Sequence, residues 1–267
     1  MKHQTEQLSI EAVQQGLQTR QIGRRIILLD ETPSTNDVAW SYAQTPDCHG
    51  LCVLAEQQTA GRGRRGRKWY SPPGQSVLCS ILIQTSEPSA ALLTLAAPIA
   101  VIDAIASCCD LDTAIKWPND ILLKNRKVAG ILVESRKIGP QTVSVIGIGI
   151  NVHQDKGCFA ELPLDAPAAS LDIELRRHVN RNELVRELLH RLEKQIHTAV
   201  EKPEKLLRNW KRRNRQIGSR VELESDGRQY AGTCIGIDPI EGLIVQIDRG
   251  PVKIFSAAQT TVIKNGG

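Results

Sequence analysis

Aromatic side chains are scarce in this 267-residue chain, which has four Trp, three Tyr and two Phe. So few stacking platforms argue against a binder of single-stranded nucleic acid. Excess charge is equally scarce. The formal net charge is +5, from 34 Lys and Arg against 29 Asp and Glu, and Arg62, Arg64, Arg65, Arg67 and Lys68 alone match that excess. Outside that stretch the charges balance, and the all-over basic character of a nucleic-acid binder is missing. The first twenty residues contain no apolar h-region, so no signal peptide is expected. No glycine turn ends in Gly-Lys-Ser or Gly-Lys-Thr, which excludes a Walker loop. The seven cysteines have no repeating spacing and read as reduced core thiols of a cytoplasmic protein. Cys48-His49-x-x-Cys52 lacks the second ligand pair of a zinc site. One apolar run, 90–109, reaches membrane-span length, but Pro98, Asp103 and the lack of aromatic or basic anchors make it a buried helix on a sheet, with no membrane role.

What the chain does have is the run Gly61-Arg62-Gly63-Arg64-Arg65-Gly66-Arg67-Lys68, cationic throughout and free of acids. Glycines permit close backbone approach and positive φ, and arginine forks match anionic oxygens, so the run predicts a phosphate site. Its glycine spacing formally matches the dinucleotide fingerprint, but that motif works by opening a helix, and Pro72-Pro73 forbid one here. The loop must then hold phosphate with side chains. A second basic stretch, 205–215, reads as the end of a helix whose cations complement its dipole.

Hydrophobic content of 41% supports one large domain with a small companion. A short amphipathic helix is expected at Glu6–Gln18 and a strand at Arg25–Leu29. Ser34 with Asp37 three residues on gives a capping-box-like helix start. Strands follow at 51–55, 77–83, 113–117, 121–123, 128–135 and 143–150, with a Lys124-Asn125-Arg126 hairpin turn. Short connections predict an α+β domain with a mixed, largely antiparallel sheet and helices on one face. Leu184, Leu188, Leu192, Ile196 and Val200, spaced by four, mark the clearest amphipathic helix. After Gln216 five short strands separated by Asp226-Gly227, Glu241-Gly242 and Arg249-Gly250 predict a small β barrel. The expected domains are 1–217 and 218–267.

The order of motifs resembles that of the biotin protein ligases. Ser34-Thr35-Asn36, Gln58 with the arginine run and Trp69, Lys116-Trp117-Pro118-Asn119-Asp120, and Arg126 to Glu134 carry the resemblance, with Gly147-Ile148-Gly149-Ile150-Asn151 in its place after them. The resemblance implies a class II synthetase-like catalytic domain with a C-terminal SH3-like barrel. It also implies activation of biotin by ATP to biotinyl-5′-AMP, with Mg²⁺, and transfer to a lysine of the biotin carboxyl carrier protein of acetyl-CoA carboxylase. In that reading Ser34, Thr35, Asn36 and Gln58 surround the ureido ring. Arg62, Gly63 and Arg64 hold the carboxylate and phosphate, Lys127 bridges both and is the main electrostatic catalyst beside Arg64, and Gly130 lines the pocket. Arg62, Arg64, Arg67, Trp69, Asn119 and Asn151 contact the nucleotide, Trp69 by covering the adenine. Asp120 positions Lys127 or a metal ion. About twenty-four residues precede the first strand, too few for the helix-turn-helix that some members carry, so no specific DNA binding is expected. Monomer and homodimer both stay open.

Overall fold

Period-two alternation carries the strands between Ile26 and Asn151 into one sheet, and the phase of that alternation decides which residues meet a ligand. The computed structural model describes residues 7–85, 87–161, 164, 167–238 and 240–265; Met1–Glu6 and Gly266–Gly267, which the expected domains and first helix include, lie outside them. The elements in order are α1 (Ile10–Gln14), β1 (Ile26–Thr32), α2 (Thr35–Ser41), β2 (Cys52–Gln58), β3 (Ser76–Thr85), α3 (Glu87–Cys109), β4 (Ala114–Lys116), β5 (Asp120–Leu123), β6 (Arg126–Ile138) and β7 (Gln141–Asn151). Next come α4 (Lys156–Glu161), α5 (Leu171–Leu175), α6 (Arg181–Glu201) and α7 (Pro203–Arg213). The chain closes with β8 (Arg220–Ser225), β9 (Arg228–Asp238), β10 (Gly242–Ile247), β11 (Val252–Phe255) and β12 (Thr260–Asn265).

The first seven strands form a sheet in the order β1-β2-β3-β7-β6-β5-β4. Only β1 and β2 run parallel; every other neighbour is antiparallel. Ile81, Ile83, Ile146, Ile148 and Ile150 point to one face, where α3 and α6 cover them. Val53, Leu82, Val143 and Val145 point to the other, where Ala39 and Ala43 on and after α2 complete a smaller core. Helices therefore lie on both faces rather than one. The short α2 covers only part of its face, and the uncovered remainder is where the site forms.

The α3 helix contains the run 90–109, long and apolar enough to span a bilayer, yet it is two-thirds buried between the sheet, α6 and α7. Its one charge, Asp103, is met by Arg213 at 2.7 Å and Gln195 at 3.0 Å. On α6 the leucines at 184, 188 and 192 are fully buried, but Val200 is 61% exposed and Ala199 takes the core position instead. A spacing of four drifts about 40° per step on a 3.6-residue helix, so four steps carry the side chain to the opposite face. Asn180 caps α6 by accepting from the Glu183 amide, and Pro203 starts α7 where its missing N–H costs nothing. The α1 helix is shorter than its sequence suggests, because Ser9 caps it and extended backbone at Gln15 ends it. No periodic signal announced the short α4 and α5.

The last five strands form a separate antiparallel sheet in the order β11-β10-β9-β8-β12. Its Val221, Leu223, Leu243, Val245 and Phe255 belong to the same contiguous apolar cluster as the first sheet's core.

Candidate active site

Gly147 and Gly149 alternate with core isoleucines on β7, and Gly130 of β6 pairs directly with Gly149. Three missing side chains thus leave a trough on the α2 face. A Cβ at Gly149 would stand 2.5 Å from the Trp69 ring, one at Gly130 3.0 Å from it, and one at Gly147 inside the contact radius of Asn36 Oδ1. Only glycine lets Trp69 and Asn36 lie this close to the sheet.

One end of the resulting cavity is polar and uncharged. Ser34, at the start of α2, makes no capping bond with its side chain, so the capping-box expectation fails, and the residue lines the cavity. Thr35 donates both its amide (2.8 Å) and its hydroxyl (2.9 Å) to Gln58 Oε1. Ser80 Oγ lies 2.7 Å from Thr35 Oγ1 and 2.6 Å from Asn36 Oδ1, and Asn36 Nδ2 donates to Glu134 at 2.7 Å. Ser34, Thr35 and Asn36 are each under 6% exposed, a density of buried polar groups that folding alone does not require.

The other end is cationic. On β6, Gly130 faces the site and Ile131 the core, so alternation would turn Val128 to the site and Lys127 away from it. A bulge reverses this: Leu122 pairs with Lys127 but Ile121 with Ala129, leaving Val128 as the extra residue, and Val128 and Ala129 both enter the core. The Lys127 ammonium reaches 2.6 Å from Asp120 Oδ1 and 5.4 Å from the Trp69 ring centroid. Its backbone is pinned too, donating to the Pro167 carbonyl (2.8 Å) and accepting from the Ala169 amide (2.9 Å). Asp120 thus pairs with Lys127 and not with Lys116.

The arginine run closes on itself through an Arg62–Lys68 bridge and a Gly63 amide bond to the Arg67 carbonyl (2.6 Å). No phosphate-binding helix follows. Only Gly66 among its three glycines has positive φ (74°), and Arg65 beside it shares that left-handed region (56°). Gly61 is needed instead for close approach, since a Cβ there would meet the Trp69 carbonyl at 2.7 Å. Each of the first three arginines has a partner. Arg62 forks onto Asp37 at 2.5 and 2.6 Å, Arg64 donates to the Ala257 carbonyl, and Arg65 donates to Thr261 Oγ1 at 2.7 Å. The flap therefore leans on α2 at one end and on the C-terminal sheet at the other. Burial pushes Arg64 below its usual pKa, against the pull of Asp120.

The Arg62 fork holds the Asp37 carboxyl below the usual carboxylate range and raises Arg62 in return. A lowered acid stabilises the pair above its ordinary pKa and loses that contribution as pH falls through the folded value. Both groups are about half exposed, so the pair adds at most about 1 kcal/mol and mainly sets geometry. Acidification from pH 6 to pH 3 is expected to loosen the flap in the parent chain and leave an Asp37→Asn variant unchanged. Amide exchange of residues 61–69, corrected for intrinsic rates, measures this; equal loosening in both excludes the Asp37 tie.

Eight of the nine expected biotin contacts, Ser34, Thr35, Asn36, Gln58, Arg62, Gly63, Lys127 and Gly130, line this one cavity. Arg64 does not; it lies on the wall of a larger cavity of about 320 Å³ between α3, α7 and the C-terminal sheet. Asn119 lines both, and its amide is held by the Ile131 carbonyl at 3.0 Å. Trp69 lines the same cavity, its ring lying over Gly149 and Gly130 and beside the Lys127 ammonium. Arg67 is exposed and lines neither cavity. Asn151 is buried and also lines neither, its amide donating to the Ala169 carbonyl at 3.1 Å beside Lys127. Ser80 and Trp40 escaped the sequence reading, and Asp37 and Glu134 entered it only as part of a helix start and as the end of a motif. The one signal available was the acid ending the apolar run Ile131-Leu132-Val133-Glu134.

The cysteines offer no nucleophile near these groups: burial pushes Cys108 up to about 12 and Cys109 and Cys234 to about 11. Cys48, His49 and Cys52 do not converge on one point. Cys48 and His49 contact Gln84, and Cys52 lies 3.5 Å from Cys79.

Residues 28–151 match the biotin/lipoate A/B protein ligase family. The biotin–[acetyl-CoA-carboxylase] ligase of Paracoccus denitrificans is 36% identical over 243 residues, covering 87% of this chain and 98% of that one. The bifunctional ligase/repressor BirA of Bacillus subtilis is 34% identical over 256 residues, covering 94% and 78%. In three dimensions the biotin protein ligase from Aquifex aeolicus, in complex with biotin and ATP, aligns over 90% of this chain and 98% of that one, with a TM-score of 0.73 and 23% identity. With sequence identity of 36% to a biotin–[acetyl-CoA-carboxylase] ligase over 87% of the chain and the fold shared over 90% of it, the chain belongs to the biotin protein ligase family.

Proposed function

We propose that this protein activates biotin with ATP to biotinyl-5′-AMP and transfers the biotin to a lysine of the biotin carboxyl carrier protein of acetyl-CoA carboxylase, in the cytoplasm. A single cavity carries the reading: uncharged hydroxyl and amide groups at one end suit a ureido ring, and Lys127 at the other, with Arg62 also on the wall, suits a carboxylate meeting a phosphate. The all-apolar tunnel that a lipoyl or octanoyl chain prefers is not what these walls offer. Relatives named biotin–[acetyl-CoA-carboxylase] ligase support biotin as the substrate and acetyl-CoA carboxylase as the enzyme modified.

In the first step a biotin carboxylate oxygen attacks the α-phosphorus and pyrophosphate leaves with the bonding electrons. Two anions must meet, and Lys127, held at 2.6 Å by Asp120, supplies positive charge where the negative charge concentrates. In the second step a neutral lysine amine of the carrier attacks the acyl carbon and AMP departs, so no enzyme nucleophile is needed. If Mg²⁺ arrives with the nucleotide, Asp120, the carboxylate beside Lys127, would be the protein group to hold it, and the ion would neutralise charge on the phosphate oxygens. Residues 1–217 carry this chemistry, and 218–267 hold the flap through Ala257 and Thr261.

Mass spectrometry of a biotin carrier domain, after incubation with this protein, biotin and MgATP, tests the proposal. One added biotin on one lysine is the expected product, and an unmodified carrier rejects it. Replacing Arg64 by Ala is expected to release biotinyl-AMP into solution at least about tenfold faster, because a flap cation and its tie to the C-terminal sheet vanish together. Chromatography of the free adenylate measures this, and parent-like retention removes Arg64 from the role.

A further inference from the structure

We infer that Glu134, which does not line the cavity, is a positioning residue that sets the hydrogen-bond polarity of the biotin pocket by fixing the orientation of the Asn36 amide. The inference rests on the biotin reading of the site and names a determinant of its specificity.

Proton counting carries it. Gln58 Oε1 can only accept, and it receives both the amide and the hydroxyl of Thr35. That uses the one Thr35 hydroxyl proton, so toward Ser80, 2.7 Å away, Thr35 Oγ1 can only accept. At the far end the Glu134 carboxylate also accepts only, taking Asn36 Nδ2 at 2.7 Å and Trp40 Nε1 at 3.3 Å. Asn36 must therefore turn its nitrogen to Glu134 and its oxygen toward Ser80 and the glycine floor. Ser80 then has two acceptors, Thr35 Oγ1 and Asn36 Oδ1, for a single proton, so at any moment one of the two acceptors is free. A ureido group brings two N–H donors and one carbonyl. The free acceptor suits an N–H, and Ser34 with the Gln58 amide nitrogen suits the carbonyl. Without the carboxylate the Asn36 amide can reverse, Ser80 gives its proton to Thr35, and a donor replaces the acceptor on the pocket wall.

Glu134→Gln tests this, because glutamine keeps the shape and removes the constraint. In the full-length protein, calorimetry with biotin is expected to show about tenfold weaker binding, the loss of one well-placed buried hydrogen bond. KM for biotin should rise in step, while kcat and KM for ATP in pyrophosphate–ATP exchange, and the melting temperature, stay at parent values. The double variant Asn36→Asp with Glu134→Gln exchanges carboxylate and amide across the same hydrogen bond. Its carboxylate cannot reverse, so most of the biotin affinity is expected to return. Parent-like affinity in Glu134→Gln overturns the inference, as does a joint fall of kcat, ATP affinity and melting temperature that the swapped pair fails to restore. If the parent chain itself gives no heat with biotin, the functional reading fails and this inference with it.

Discussion

Replacing Lys127 by Gln is expected to slow pyrophosphate–ATP exchange by about 10²- to 10³-fold while KM for ATP changes little, the range found when one preorganised charge-stabilising group is removed. The split follows from geometry. Lys127 stands at the cationic end of the cavity, where the proposed reading brings carboxylate and α-phosphate together, and its contact would strengthen as charge builds between them. Its position is unusually constrained, with the ammonium held by Asp120, the stem beside Trp69, and both backbone polar groups bonded to the 167–169 segment. Glutamine keeps the backbone bonds and much of the length, so the fold should stand. Equal losses in kcat and ATP binding would instead identify an ordinary ground-state contact.

The second large effect is expected from Gly149→Ala. A methyl group there would stand 2.5 and 2.6 Å from Trp69 Cε2 and Cζ2, so the indole must leave the trough wall. Overpacking of this kind costs about 1–3 kcal/mol, and most of it should appear as lost affinity, up to about 100-fold weaker biotin binding. Stability should move the other way or stay level, since Ala is favoured over Gly in a strand by about 0.5–1 kcal/mol. Calorimetry beside thermal melting separates these terms. A variant that binds biotin like the parent would show that Trp69 is no part of the pocket.

Both expectations concern residues whose importance was unevenly visible in the sequence. Lys127 drew notice through the Arg126-to-Glu134 motif, but strand alternation alone would turn it away from the site; the bulge at Val128 reverses that phase, and a bulge depends on its partner strand. Gly149 is half of a legible pattern, Gly-Ile-Gly-Ile, whose isoleucines announce a core face. That the bare face receives an indole from residue 69 is a matter of packing. Val200 shows the opposite failure: a spacing of four looks continuous on paper and walks off the helix face in space.

The arginine run was legible as chemistry and illegible as structure. Its cations predicted an anion site, yet Arg62 is engaged by Asp37, Arg64 by Ala257 and Arg65 by Thr261, the last two almost two hundred residues away. Glu134 was visible only as the end of a motif, because one acid closing an apolar strand says nothing of its partner. Its meaning appears only when Asn36, nearly a hundred residues earlier, is set beside it.

By itself the sequence determined the elements and the chemical types: strands from alternation, hairpins from turn residues, an anion site from clustered guanidiniums. These depend on neighbours along the chain, where propensity and charge act over a few residues. Tertiary structure alone decided which face Lys127 takes, what the glycines make room for and where each arginine fork rests. Those outcomes come from contacts between segments far apart in the chain, and only folding brings such segments within reach of one another.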